Sequence, residues 1–195
     1  MSELIEATLY CIKKNLRTFI KKFHQKTHFS WVLTAAHCCV PGILDESDII
    51  LGSASRVENS ETIIRKVADF QSHPSFNEYN YNNDICVIQL DRDVQYSDKI
   101  QPICLEDNKI SSSENEGIES YIAGWGSKSA TGAQKTNLND AKVEIVDKQK
   151  CKENFPPGFL KESLYCVKGV SETIDVCEGD AGGPHVIKEK IFLLQ

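Results

Sequence analysis

From Trp31 onward the chain alternates short apolar stretches with turn residues, and this texture predicts strands. Asp48-Ile49-Ile50-Leu51-Gly52, Ile85–Leu90 and Tyr121-Ile122-Ala123-Gly124-Trp125-Gly126 are apolar stretches of strand length. Ala141-Lys142-Val143-Glu144-Ile145-Val146 alternates small or apolar residues with polar ones, as a half-buried strand should. His185-Val186-Ile187 and Ile191-Phe192-Leu193-Leu194 flank Lys188-Glu189-Lys190, which predicts a hairpin with a charged tip. Many short strands separated by turn signals point to an all-β sandwich or barrel.

The residues before Trp31 follow a different period. Ile5, Leu9, Ile12, Leu16, Phe19, Ile20 and Phe23 recur at spacings near three and four. Lys13, Lys14, Arg17, Lys21 and Lys22 fall mostly on the other side, which predicts an amphipathic helix. Such a helix suits a membrane surface or a partner protein, but a packed or adventitious leader over residues 1–30 is the simpler reading. Ser111-Ser112-Ser113-Glu114-Asn115-Glu116-Gly117 is polar and rich in breakers, a linker between two halves.

Composition narrows the partners. With 22 Lys and Arg against 28 Asp and Glu, the net charge of −6 argues against nucleic acid, which needs a basic face. No apolar run approaches the roughly 20 residues of a membrane span, so no transmembrane segment is expected. Eight cysteines in 195 residues point to an oxidising compartment. They lack paired C-x-x-C spacing, so no metal site is expected, and no cofactor is implied. The acidic loop Glu58-Asn59-Ser60-Glu61 reads as solvated surface rather than a calcium site. Met1-Ser2-Glu3-Leu4-Ile5-Glu6 lacks the basic and apolar regions of a secretory signal, so a different native N-terminus is expected.

Three short motifs carry the chemistry. They are Trp31-Val32-Leu33-Thr34-Ala35-Ala36-His37-Cys38, Asn83-Asp84-Ile85-Cys86-Val87-Ile88 and Cys177-Glu178-Gly179-Asp180-Ala181-Gly182-Gly183-Pro184. In this order they resemble the trypsin-like serine proteases, over about Trp31 to Gln195, with Ala181 where the attacking serine belongs. The resemblance implies a two-barrel chymotrypsin-type fold, incomplete at both ends, in a peptidase domain over 31–195. The first barrel would span about 31–110 and the second about 117–195, lacking its final strands and C-terminal helix. An open sheet edge is expected there.

The resemblance also implies roles. His37 matches the general base, Asp84 the carboxylate that orients it, and Ala181 the position of the nucleophile. A methyl group cannot attack a carbonyl, so hydrolysis should be lost. The backbone N–H groups of Gly179 and Ala181 would still form the oxyanion hole. Asp175 falls at the base of the specificity pocket, implying preference for Arg or Lys. Asp180 matches the carboxylate that pairs with a new N-terminal ammonium after activation. No I-V-G-G-type sequence is present to supply it, so Asp180 should stay solvated or find another partner, in a zymogen-like loop.

Among the cysteines, Cys151 and Cys166 match a family disulfide that closes a short loop, worth about 3 kcal/mol by chain entropy. Cys38 matches a cysteine whose partner should lie near Lys22–His24, where none exists. Cys177 should pair beyond the chain end, and Cys11 is a conceivable mate for Cys104. Cys86 reads as a small core residue, and Cys39 has no family role. The expected function is an inactive homologue, secreted by resemblance, that binds substrates, inhibitors or cofactors of active relatives. The alternative is an active endopeptidase cleaving after Arg or Lys, seen through an altered or incomplete sequence.

Overall fold

The computed structural model describes residues 29–57, 62–101, 104–105, 116–127, 135–159, 164–171, 179–187 and 190–193. The helix expected over 5–23, Glu58–Glu61, Asp175, Cys11 and Cys177 lie outside these residues.

Two sheets organise the described chain. The first holds β1 (Phe29–Thr34), β2 (Asp48–Leu51), β3 (Ile63–Ser72) and β4 (Cys86–Val94), in the order β1-β4-β3-β2. Its pairings are antiparallel throughout. β4 is central, so its opening residues Cys86, Val87 and Ile88 are buried on both sides. This explains why Ile85–Leu90 reads as a continuous apolar run rather than an alternating one. Val32, Leu44, Ile49, Leu51, Ile88 and Leu90 build the core, with Val67 and Phe70 packed against it.

The second sheet holds β5 (Cys104–Leu105), β6 (Glu119–Gly124), β7 (Asn139–Val146), β8 (Cys166–Gly169), β9 (Pro184–Ile187) and β10 (Lys190–Leu193). The order is β5-β10-β9-β6-β7-β8. β9 and β10 form the expected hairpin, with Lys190 opposite Ile187. The open edge expected at the last strand is partly covered, because β5 runs parallel to β10. Both sheets curl, and the architecture is the expected two-barrel kind. One short helix, α1 (Lys148–Lys152), follows β7; Asp147 caps it by accepting from the Gln149 and Lys150 N–H groups.

The second half buries a chain of polar side chains among its strands. His185 on β9 is fully buried beside Ser120 and Tyr165. The Tyr165 hydroxyl donates to His185 Nδ1 at 2.7 Å, and His185 Nε2 donates to Ser120 Oγ at 2.6 Å. Ser120 Oγ in turn donates to the Val143 carbonyl at 3.1 Å. With Ser120 Oγ donating to Val143, this arrangement suits a neutral imidazole protonated on Nε2. Burial accordingly pushes His185 down from 6.5 to about 4 and raises the Tyr165 phenol.

The two halves are joined through main-chain atoms. The Ala54 carbonyl accepts from Leu138 N at 2.7 Å and from Trp125 Nε1 at 3.3 Å. Arg56 N donates to the Thr136 carbonyl at 2.8 Å, and Ser55 bridges Asn137.

Two disulfides cross-link the described residues. Cys151 and Cys166 are bonded with Cα atoms 6.3 Å apart, tying α1 to β8. Cys39 and Cys86 are bonded at 6.6 Å, which corrects the reading of Cys86 as a plain core residue. The correction has a topological cause. Thr34 pairs with Cys86 across β1 and β4, and the 3-10 turn after β1 swings Cys39 back over β4. Cys38 is the free cysteine among the described residues.

Candidate functional site

β1 ends in a buried Thr34-Ala35-Ala36 segment that leads into the 3-10 turn Ala36–Cys38. The turn presents His37 toward β4, where Asp84 precedes the strand. His37 N donates to Asp84 Oδ1 at 2.8 Å, and His37 Nδ1 donates to Asp84 Oδ2 at 2.6 Å. Backbone and ring thus hold both oxygens of one fully buried carboxylate, while the His37 side chain keeps 30 % exposure. The pairing fixes the imidazole orientation and leaves Nε2 for chemistry. Asp84, and then Cys38, raise His37 from 6.5 to about 10 against the opposing effect of burial.

The loop before β4 aims the carboxylate. Tyr81 and Asn83 adopt φ values of 54° and 58°, a region costly for side-chain-bearing residues. Asn83 Nδ2 donates to the Ser75 carbonyl at 3.0 Å, and His73 N donates to the Ile85 carbonyl at 2.8 Å. Tyr81 meets His37 edge to face, with ring centroids 5.6 Å apart. Sequence reasoning passed over Tyr81; its signal was the run Asn80-Tyr81-Asn82-Asn83, since asparagine tolerates left-handed backbone.

The third motif closes on the His37 turn from the second sheet. Gly183 N donates to the Asp180 carbonyl at 3.0 Å, which makes a tight turn with Ala181 exposed on it. Gly182 sits at φ +80°, and a Cβ there would lie 2.5 Å from Thr34 Oγ1 and 3.3 Å from Cys38 Sγ. Only glycine lets the loop approach β1 so closely. Cys38 Sγ lies 3.9 Å from the Ala181 carbonyl, so Ala181 stands beside the turn that carries His37.

Asp180 has a partner other than an ammonium. Its Oδ1 accepts from Gly126 N at 2.8 Å, and a Cβ on Gly124 or Gly126 would collide with the carboxylate. Gly179, the other expected oxyanion donor, is exposed at φ 95°. The structure therefore brings His37, Asp84, Asp180 and Ala181 into one region. It contains no cluster of three or more metal-ligating side chains among the described residues.

Chemically, the arrangement holds an imidazole on a buried carboxylate, near a position 181 that carries a methyl group and no hydroxyl. Nothing at Ala181 can form a covalent intermediate.

Comparison with known proteins agrees with this geometry. A family model described as Trypsin matches residues 26–194. The chain is 36% identical over 160 residues to Trypsin II-P29 of Gallus gallus, covering 80% of this chain and 60% of that protein. It is 35% identical over 172 residues to Collagenase of Hypoderma lineatum, covering 84% and 60%. Over 164 residues it is 35% identical to Ovochymase of Halocynthia roretzi, covering 82% of this chain and 10% of that protein. The chain thus spans less than two thirds of these relatives. Its fold superposes with a TM-score of 0.73 on neuropsin, a serine protease expressed in the limbic system of mouse brain, at 30% identity, covering 83% of this chain and 70% of that one. With two curled sheets in the same arrangement and a sequence match across most of its length, the chain belongs to the trypsin family.

Proposed function

We propose that this trypsin-family chain does not hydrolyse peptides and acts by binding protein or peptide ligands of the trypsin type. Those ligands are the substrates, inhibitors or cofactors of active relatives. The observation that carries the reading is Ala181 beside an ordered His37–Asp84 pair. Removing any member of such a triad leaves only about 10³–10⁴-fold catalysis over water, from binding and the oxyanion donors.

In this reading Gly179 and Ala181 supply the oxyanion donors, and Asp175 supplies the pocket carboxylate that selects Arg or Lys. Asp180 is held by Gly126 in place of an activating ammonium. Secretion fits the two disulfides and the family's habit. No helix among the described residues is long and apolar enough to cross a membrane.

The test has two arms. The chain is assayed on Arg and Lys amide substrates and with a fluorophosphonate probe; turnover comparable to trypsin, or an adduct at position 181, refutes inactivity. Binding is measured by calorimetry with a protein inhibitor that presents Lys or Arg to trypsin. Asp175→Ala should weaken that binding, and no binding at all would remove the ligand reading. The intact His37–Asp84 geometry also favours a second reading, an active endopeptidase seen through an altered sequence. Sequencing the transcript across codon 181 decides between the two, since a serine codon is required for the second.

A further inference from the structure

Cys86 is a fixed point of the first sheet. It is fully buried at the start of β4, pairing with Thr34 of β1 on one side and Ser72 of β3 on the other. Its sulfur is bonded to Cys39. The segment from Thr34 to Cys39 therefore begins and ends on the same residue of β4, and His37 lies between its two ends. The offsets agree, since His37 and Asp84 are 47 residues apart and so are Cys39 and Cys86. Each cysteine thus follows one member of the pair by two residues.

The elements between these anchors are weak by themselves. The turn bearing His37 is a single 3-10 turn, in which Cys38 N donates to the Ala35 carbonyl at 3.2 Å and Cys39 N to the Ala36 carbonyl at 3.0 Å. Such short turns have poor hydrogen-bond geometry and set orientation loosely. On the other side, Tyr81 and Asn83 hold left-handed backbone just before Asp84, and strained residues persist only where their surroundings over-determine them. Past Cys39 the chain returns to the surface at Val40. The two bonded cysteines are 6% and 0% exposed, so a reductant in solution reaches them only when the sheet opens. The bond is a permanent tie rather than a redox switch.

We propose that the Cys39–Cys86 bond is a positioning device for the His37–Asp84 pair. It pins the far end of the His37 turn to the strand that Asp84 enters, so the imidazole meets the carboxylate in one orientation and one tautomer. Without it, the turn is held by the β1 ladder at one end only. The backbone and ring bonds to Asp84, at 2.8 and 2.6 Å, then open more often to solvent. Cys39 and Cys86 touch no ligand in this role and act through His37. The inference concerns the geometry of the pair and stands whether or not any ligand binds.

The full chain carrying Cys39→Ala and Cys86→Val is compared with the unaltered chain and with Cys151→Ala/Cys166→Ala, which opens the cross-link between α1 and β8 in the second half. Valine suits the buried strand position. NMR follows the His37 ring titration and the downfield Nδ1 proton that a short bond to a carboxylate produces, with His37→Gln assigning both. Opening Cys39–Cys86 should abolish the Nδ1 resonance and lower the titration midpoint by at least about one pH unit, while the second-half variant keeps both. A smaller fall, or an equal fall in both variants, overturns the proposal. If the first variant fails to fold, hydrogen exchange of the unaltered chain decides. The His37 amide should then exchange within about tenfold of the Cys86 and Ile88 amides, as part of one cooperative unit. Exchange faster than that overturns the proposal as well.

Discussion

Acidification should destabilise this chain through His185, by an amount that can be isolated from every other titrating group. The folded chain holds His185 neutral and pushed down to about 4, against 6.5 for an exposed imidazole. Between those values the unfolded chain binds a proton that the folded chain refuses, so stability present above pH 6.5 is lost as pH falls toward 4. The drop from 6.5 to about 4 corresponds to roughly 3 kcal/mol. The physical cause is burial, which makes a charged imidazole costly on a side chain with no exposure. Protonation would also make Nδ1 a donor, so the Tyr165 hydroxyl would have to turn from donating to accepting. The assay is denaturant unfolding at intervals from pH 7 to pH 4, for the unaltered chain and for His185→Gln. Glutamine keeps an acceptor for Tyr165 and a donor for Ser120 but does not titrate. Carboxylates titrate in both proteins and cancel in the difference, which should grow by about 3 kcal/mol toward pH 4 in favour of the variant. Parallel profiles for the two proteins would falsify the reasoning.

Three further outcomes are expected. Asp84→Asn removes the largest influence on His37, so the imidazole should titrate well below about 10, as read from its NMR ring resonances. In the unaltered chain the raised value stabilises fully below pH 6.5 and the contribution fades as pH climbs through about 10, a basic limb that Asp84→Asn should flatten. Replacing Cys39 and Cys86 together by alanine opens a cross-link spanning 47 residues, which should cost about 4 kcal/mol in urea unfolding by the chain-entropy relation; a midpoint unchanged in the double variant would contradict it. Gly182→Ala combines φ +80° with a collision at Thr34 Oγ1 and should lose at least about 1–3 kcal/mol by thermal or urea unfolding.

Legibility of the fold followed the physics of each element. β2, β4, β6 and β7 were visible because burial alternates or runs continuously within them. β3 escaped, although it is the longest strand of its sheet, because a bulge between Val67 and Asp69 shifts its phase. Val67 and Phe70 then face the same core three residues apart, which no period-2 reading detects. Position by position, the motifs marked His37, Asp84 and Ala181, since short local signatures carry them. Contacts spanning many residues were not legible. The Cys39–Cys86 bond, the Tyr81 edge against His37 and the Tyr165–His185–Ser120 chain all depend on which strands become neighbours. The polar His185 inside an apolar strand was the local clue to that chain, and alternation alone gave no reason to give it partners.

The joint at Ala54 has an evolutionary consequence. Two of its three hydrogen bonds, Leu138 N to the Ala54 carbonyl and Arg56 N to the Thr136 carbonyl, join peptide groups on both sides, and peptide groups are identical whatever side chain they bear. Point substitutions along 54–56 and 136–138 should therefore drift freely without misaligning the lobes. A single inserted or deleted residue in either segment would slide one ladder past the other and tilt the lobe bearing Ala181 away from the lobe bearing His37.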